Sequence, residues 1–140
     1  MVDFNGLEHI VRRKESLSTF TGLRFGGICE YFAEPTSEAE LTELVKACTA
    51  QEVPIRVLGG VSNLIVCSDV VPGMVIHLSA AAFCNIEIVG STLKCGGGAA
   101  LVQLISTAAR EGLEGLEQLA GIPGTVGGAV RTNAGTNSGD

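Results

Sequence analysis

Ile55-Arg56-Val57-Leu58-Gly59-Gly60-Val61-Ser62-Asn63-Leu64 is the stretch on which the fold turns. An apolar run that suits a strand stops at two glycines, and apolar β-branched sequence resumes at Leu64-Ile65-Val66-Cys67 and again at Met74-Val75-Ile76-His77-Leu78. The reading is strand, glycine-rich loop, strand, which sets the loop between two buried strands and not ahead of a helix. Upstream, Ser37-Glu38-Ala39-Glu40 has the form of a capping box, and Leu41, Leu44, Val45 and Cys48 follow on one helical face that must end before Pro54. Further upstream, Asn5 and Glu8 frame a second capping box, predicting a short helix over Leu7 to Val11 that ends in Arg12-Arg13-Lys14, a solvated basic end with no function assigned. Downstream, Ile86-Glu87-Ile88-Val89, a turn at Gly90-Ser91 and Thr92-Leu93-Lys94-Cys95 predict a hairpin. Leu101, Leu104, Ile105 and Ala108 then mark a helix capped at Gly112. Leu113, Leu116 and Leu119 continue as a short tight turn, and Gly121 to Ala129 is too rich in glycine for a regular element. The class is α+β.

Composition narrows the function. Nine basic against fifteen acidic residues leave a net charge of −6, which argues against a general nucleic-acid or anionic-membrane binder, since both need a basic face. The absence of Trp and a content of only 4% aromatic residues argue against stacking platforms for single strands as well. No apolar run spans a membrane and no leader opens the chain, so a reducing cytoplasm is the expected setting. Cys29, Cys48, Cys67, Cys84 and Cys95 lie too far apart for a chelating pair and read as buried small apolar residues. His77 reads as a core or edge histidine, His9 as a residue of a surface helix.

Glycine is the excess: 19 residues, against about 10 at ordinary frequency. A glycine serves where φ is positive or where a ligand must reach main-chain N–H groups with no Cβ in the way. Converging N–H groups hold a pyrophosphate without any Lys or Arg, so an acidic chain can still take a dinucleotide. Neither standard phosphate motif is complete, which excludes a P-loop and a plain Rossmann domain. On physics alone the glycine loops are either tight turns of an α+β domain or a ligand cradle.

Three ordered segments carry a resemblance. Ser18-Thr19-Phe20-Thr21-Gly22-Leu23-Arg24-Phe25-Gly26-Gly27, then Leu58-Gly59-Gly60-Val61-Ser62-Asn63-Leu64, then Gly121-Ile122-Pro123-Gly124-Thr125-Val126-Gly127-Gly128-Ala129 with Asn133-Ala134-Gly135, resemble the signatures of the UDP-N-acetylenolpyruvoylglucosamine reductases, also called UDP-N-acetylmuramate dehydrogenases. The resemblance runs along nearly the whole chain. It implies a two-lobed FAD-binding domain of the p-cresol-methylhydroxylase type, with residues 1–84 as the first lobe and 85–140 opening the second. It implies FAD as cofactor, held by Leu58, Gly59, Gly60, Val61, Ser62, Asn63 and Leu64 around the pyrophosphate. From the second lobe it adds Gly121, Ile122, Pro123, Gly124, Thr125, Gly127, Gly128, Ala129, Asn133 and Gly135.

The activity implied is hydride transfer from NADPH through FAD to the enolpyruvyl ether of a UDP-sugar, making UDP-N-acetylmuramate for the cell wall. The resemblance implies a chain that continues well past the position of Asp140, with the proton-donating serine, the arginine and glutamate that polarise the enolpyruvate, and the whole substrate domain in that later part. No catalytic residue and no metal ligand is therefore carried over, Ser62 is not taken for the acid, and the 140-residue chain is expected to be inactive by itself. Its cut face is expected to drive self-association or to bind a partner chain. A non-catalytic interaction protein, or a decayed copy on the same fold, is the alternative. Two positions depart from the family pattern. Val61 stands at a usual third glycine, where a β-branched side chain at positive φ is strained. Arg131 replaces an apolar residue, and either offers a cation near the cofactor or lies exposed.

Overall fold

A computed structural model describes residues 2–135. A four-stranded sheet carries the first half, in the order β1 (Val11–Ser16), β2 (Ile28–Ala33), β4 (Val70–His77), β3 (Ile55–Leu58). β2, β4 and β3 are parallel and β1 is antiparallel to β2. The helix α1 (Glu38–Ala50) makes the crossover from β2 to β3, which leaves a place between them for β4. Leu44 and Cys48 of α1 are fully buried against Tyr31, Ala33, Met74 and Ile76, so the helix covers one face of the sheet. On the other face Leu17, Phe32, Leu58, Val66 and Val75 form a second cluster, with Phe20 stacked on Phe32 at 4.6 Å. Where β2 and β4 lose register between Cys29 and Tyr31, the extra residue sits at Pro72-Gly73, and Gly73 takes φ +86°.

The second half begins with the short helix α2 (Ala81–Cys84) and the hairpin of β5 (Ile86–Val89) and β6 (Thr92–Cys95), paired in the register that a two-residue turn imposes. Next come α3 (Leu101–Arg110), burying Leu101, Leu104 and Ala108, a 3-10 turn at Glu117–Leu119, and α4 (Val126–Thr132). Gly112, at φ +68°, ends α3 as expected of a residue beyond a C-cap.

Several local expectations fail, each for a visible reason. The helix over Leu7 to Val11 is a pair of turns feeding β1: Gly6 takes φ +83°, and the Asn5 amide donates to Asp3 instead of serving as a cap. Its basic triplet therefore lies on a strand, where Arg12 pairs with Glu15 and Glu34, and the guanidiniums of Arg12 and Arg13 cover the Phe32 and Tyr31 rings. Leu64 to Cys67 is not a strand and joins neither sheet; of its residues only Val66 reaches the core. β2 went unread, although its burial makes it central.

Of the five cysteines only Cys29 and Cys48 are buried, while Cys84 and Cys95 are half-buried and Cys67 is exposed. His9 lies in a turn, bonded to Glu40 at 2.9 Å. His77, at the end of β4, bonds Glu34 at 3.0 Å, the structural part expected of it. Gly121 to Ala129 is not wholly irregular, since α4 starts inside it. Two helical glycines cost about 1 kcal/mol each relative to Ala. That cost is offset because Thr125 caps the Gly128 amide, and the Val126 and Gly127 amides donate to Ala99 and Gly97 at 2.9 and 2.8 Å.

Candidate functional site

The two glycine-rich loops meet. Gly59 and Gly60 leave β3 and pack directly on Gly124 and Thr125, just ahead of α4. A Cβ at Gly60 would come within 3.0 Å of the Gly124 Cα, and one at Gly59 within 2.7 Å of the Thr125 hydroxyl. The absence of side chains is what lets the two backbones touch. Ser62 then fastens them, its hydroxyl donating to the Pro123 carbonyl at 3.0 Å. The 122–125 segment is itself held from behind, where the Leu101 amide donates to the Gly124 carbonyl at 2.9 Å.

Between the loops opens a cleft of about 520 Å³. Leu58, Gly59, Gly60, Val61, Ser62, Asn63 and Leu64 line one side, and Ile122, Pro123, Gly124, Thr125, Gly128 and Ala129 the other. Thirteen of the seventeen candidate residues thus share one cavity, although about sixty positions separate the two loops. Val57, Thr132 and Ala134 also line it and were not among the candidates, and Arg131, by sequence either a cation near the cofactor or an exposed residue, lines it too. For Arg131 and Thr132 the usable signal was helical spacing from Gly128, but it requires α4 to be recognised as a helix.

The other four candidates stand back from the cleft. Gly127 packs on Gly97, Gly121 makes a turn at φ +85°, and Gly135 is exposed. Asn133 takes the left-handed conformation, φ 49° and ψ 52°, that closes α4, and the Ala134 amide then returns to the Ala129 carbonyl at 2.8 Å. Its place in the motif is explained by ending the helix that lines the site.

The walls combine apolar surface from Leu58, Leu64, Ile122 and Pro123 with polar atoms of Ser62, Asn63, Thr125 and Thr132. Among the described residues, no main-chain carbonyl accepts from the amides of Gly60, Val61, Ser62, Asn63 or Leu64. A run of uncommitted amides beside a glycine cradle is the equipment for an anionic group such as a pyrophosphate. Val61 sits in the middle of the run at φ 51°, the left-handed region, and its side chain packs on the cluster beneath the loop. The strain expected of this residue is present. Arg131 is exposed and also lines the cleft.

The model of the FAD binding domain family matches residues 29–140. The chain belongs to this family. It is also similar to UDP-N-acetylenolpyruvoylglucosamine reductase 2 of Symbiobacterium thermophilum, 40% identical over 130 residues that make up 93% of this chain and 42% of that protein. The crystal structure of the UDP-N-acetylenolpyruvylglucosamine reductase from Thermus caldophilus superposes with a TM-score of 0.75 at 41% identity, over 92% of this chain and 44% of that one. A solvent-stable cholesterol oxidase shares the fold, with a TM-score of 0.55 at 12% identity over 79% of this chain and 22% of its own. The chain spans about two fifths of the reductases it matches. FAD is the family's cofactor, and the cradle fits it.

Proposed function

We propose that this chain is the FAD-binding portion of an NADPH-dependent reductase that converts UDP-N-acetylglucosamine enolpyruvate to UDP-N-acetylmuramate for peptidoglycan. The supporting observation is the contact of Gly59-Gly60 with Gly124-Thr125 around one cleft, in a chain about 40% identical to such reductases. FAD, when bound, would supply the redox chemistry by which hydride passes between a nicotinamide and the enolpyruvyl group. This chain's residues bind and orient. The amides of residues 60–64 hold the pyrophosphate, and Ser62 keeps the second loop closed on it. Leu58, Leu64, Ile122 and Pro123 keep water from the rings, while Thr125 and Asn133 fix the two ends of α4. The lobe boundary falls between α2 and β5, at residues 84 and 85. The setting is cytoplasmic, in accord with the described residues, none of whose helices is long and apolar enough to cross a membrane. The UDP-sugar is a ligand of the complete enzyme.

Titration of FAD with the purified chain, followed by quenching of flavin fluorescence, tests this. Saturable one-to-one binding that is weakened by Gly60→Ala supports a working flavin module. A folded chain that quenches no flavin, and gains no binding with Val61→Gly, refutes it and leaves a protein reused for its surface.

A further inference from the structure

We infer that Arg131 supplies the positive charge to the diphosphate of the bound dinucleotide, an inference that rests on the FAD reading above. Amides carry only partial charges, whereas a diphosphate carries full ones, and the chain around it has a net charge of −6. Something has to turn the local field. Arg131 is the one charged side chain among the described residues that line the cleft. Of the other arginines, Arg12 is committed to Glu15 and Glu34, Arg110 to Glu111, and Arg56 to the Pro72 carbonyl at 2.6 Å, and Arg24 does not line the cleft. Among the described residues the Arg131 side chain makes no ion pair and no hydrogen bond, so its guanidinium is uncommitted.

Its place on α4 adds to the case. Gly128, Arg131 and Thr132 stand at i, i+3 and i+4, so they share one face, and all three line the cleft. The glycine leaves room beside the guanidinium where a side chain would stand. A cation in the last turn also suits the helix dipole, but the dipole is served equally from any face, and this residue is on the face lining the cleft. A guanidinium that meets phosphate oxygens in a partly enclosed cleft makes charge-assisted, two-pronged hydrogen bonds.

The test compares FAD with riboflavin, which has the same ring and no phosphate, on the native chain, Arg131→Gln and Arg131→Lys, at low and high salt. Arg131→Gln should weaken FAD by about tenfold at low salt, flatten the salt dependence, and leave riboflavin unchanged. Arg131→Lys should recover part of the loss. Equal FAD affinity in the native and Gln chains overturns the inference while leaving the FAD reading intact. Equal weakening of FAD and riboflavin overturns it too, by assigning Arg131 to the shape of α4. If the native chain binds no FAD, both fall together.

Discussion

At Val61 two terms oppose each other. Its φ of 51° costs an L-residue about 1–2 kcal/mol, yet its side chain packs against the Leu17, Leu58 and Val66 cluster. Val61→Ala gives up the packing and keeps the strain, whereas Val61→Gly gives up the packing and relieves it. The glycine variant should therefore be more stable than the alanine variant by about 1 kcal/mol, the reverse of the order in a helix or strand. Urea melts of the pair check this, and alanine above glycine would mean that the loop relaxes out of the left-handed region.

Thiols make a second test at this scale. Burial raises the pKa of both Cys29 and Cys48, in the case of Cys29 against hydrogen bonds that lower it, while Cys67 is exposed. Iodoacetamide should modify Cys67 in the native chain and reach Cys29 and Cys48 only on unfolding. Early labelling of Cys48 would show α1 lifting from the sheet.

Among the elements, α1 has the most clearly defined start. Ser37 caps it as the sequence indicates, accepting from the Glu40 amide at 3.2 Å. The Glu40 carboxylate does something else. It accepts from the Thr36 amide and hydroxyl at 2.7 and 2.8 Å and meets the His9 ring, fastening the N-terminal turns to the helix. The His9 bond first, then the Thr36 bonds, hold this carboxyl down to about 2. Glu34 is lowered as well: burial would raise it, but hydrogen bonds from His77, Ser79 and Arg12 outweigh that.

Both folded values lie below the ordinary 4.5, so the stability these groups contribute is fully present above that value. As pH falls below it they begin to bind protons in the unfolded chain before the folded one, and for Glu40 the loss is complete only below about 2. Thermal melts should drop through this range, less steeply in Glu40→Gln, and an unchanged slope in that variant would remove Glu40 from the account. Ser37→Ala should cost about 1 kcal/mol at neutral pH. At the second loop, Ser62→Ala removes the 3.0 Å bond to Pro123; it should weaken FAD a few-fold, for a bond worth about 1 kcal/mol, with the melt of the empty chain nearly unmoved.

For the molecule as a whole, exposed apolar surface lies beside the cleft. Val57, Ile65 and Val70 are 67, 66 and 63% exposed around a neighbouring hollow. Clustered surface of this kind favours association. Light scattering of the 140-residue chain should show a mass that rises with concentration, whereas a monodisperse monomer at all concentrations would count against it. Bound FAD adds its own linkage, about 2.7 kcal/mol at a hundredfold excess over Kd, and should raise Tm by several degrees.

The sequence by itself determined the glycine loops, the helices at 38–50 and 101–110, the hairpin and the membership of a flavin-binding family, because each of these is written in local spacing or in an ordered motif. It misread Asn5 to Val11 and Leu64 to Cys67, where local pattern favours an element that the packed chain does not form: β1 claims the residues beyond Ile10, and Leu64 to Cys67 joins no sheet and sends only Val66 into the core. It missed α4, whose first amides find their acceptors in Ala99 and Gly97, far away in the chain. The site divides in the same way. Which residues make the two loops could be read from the chain, but that Gly60 touches Gly124, that Ser62 holds Pro123, and that Arg131 shares their cleft depends on close approach across about sixty positions. Only the packed structure brings those backbones together.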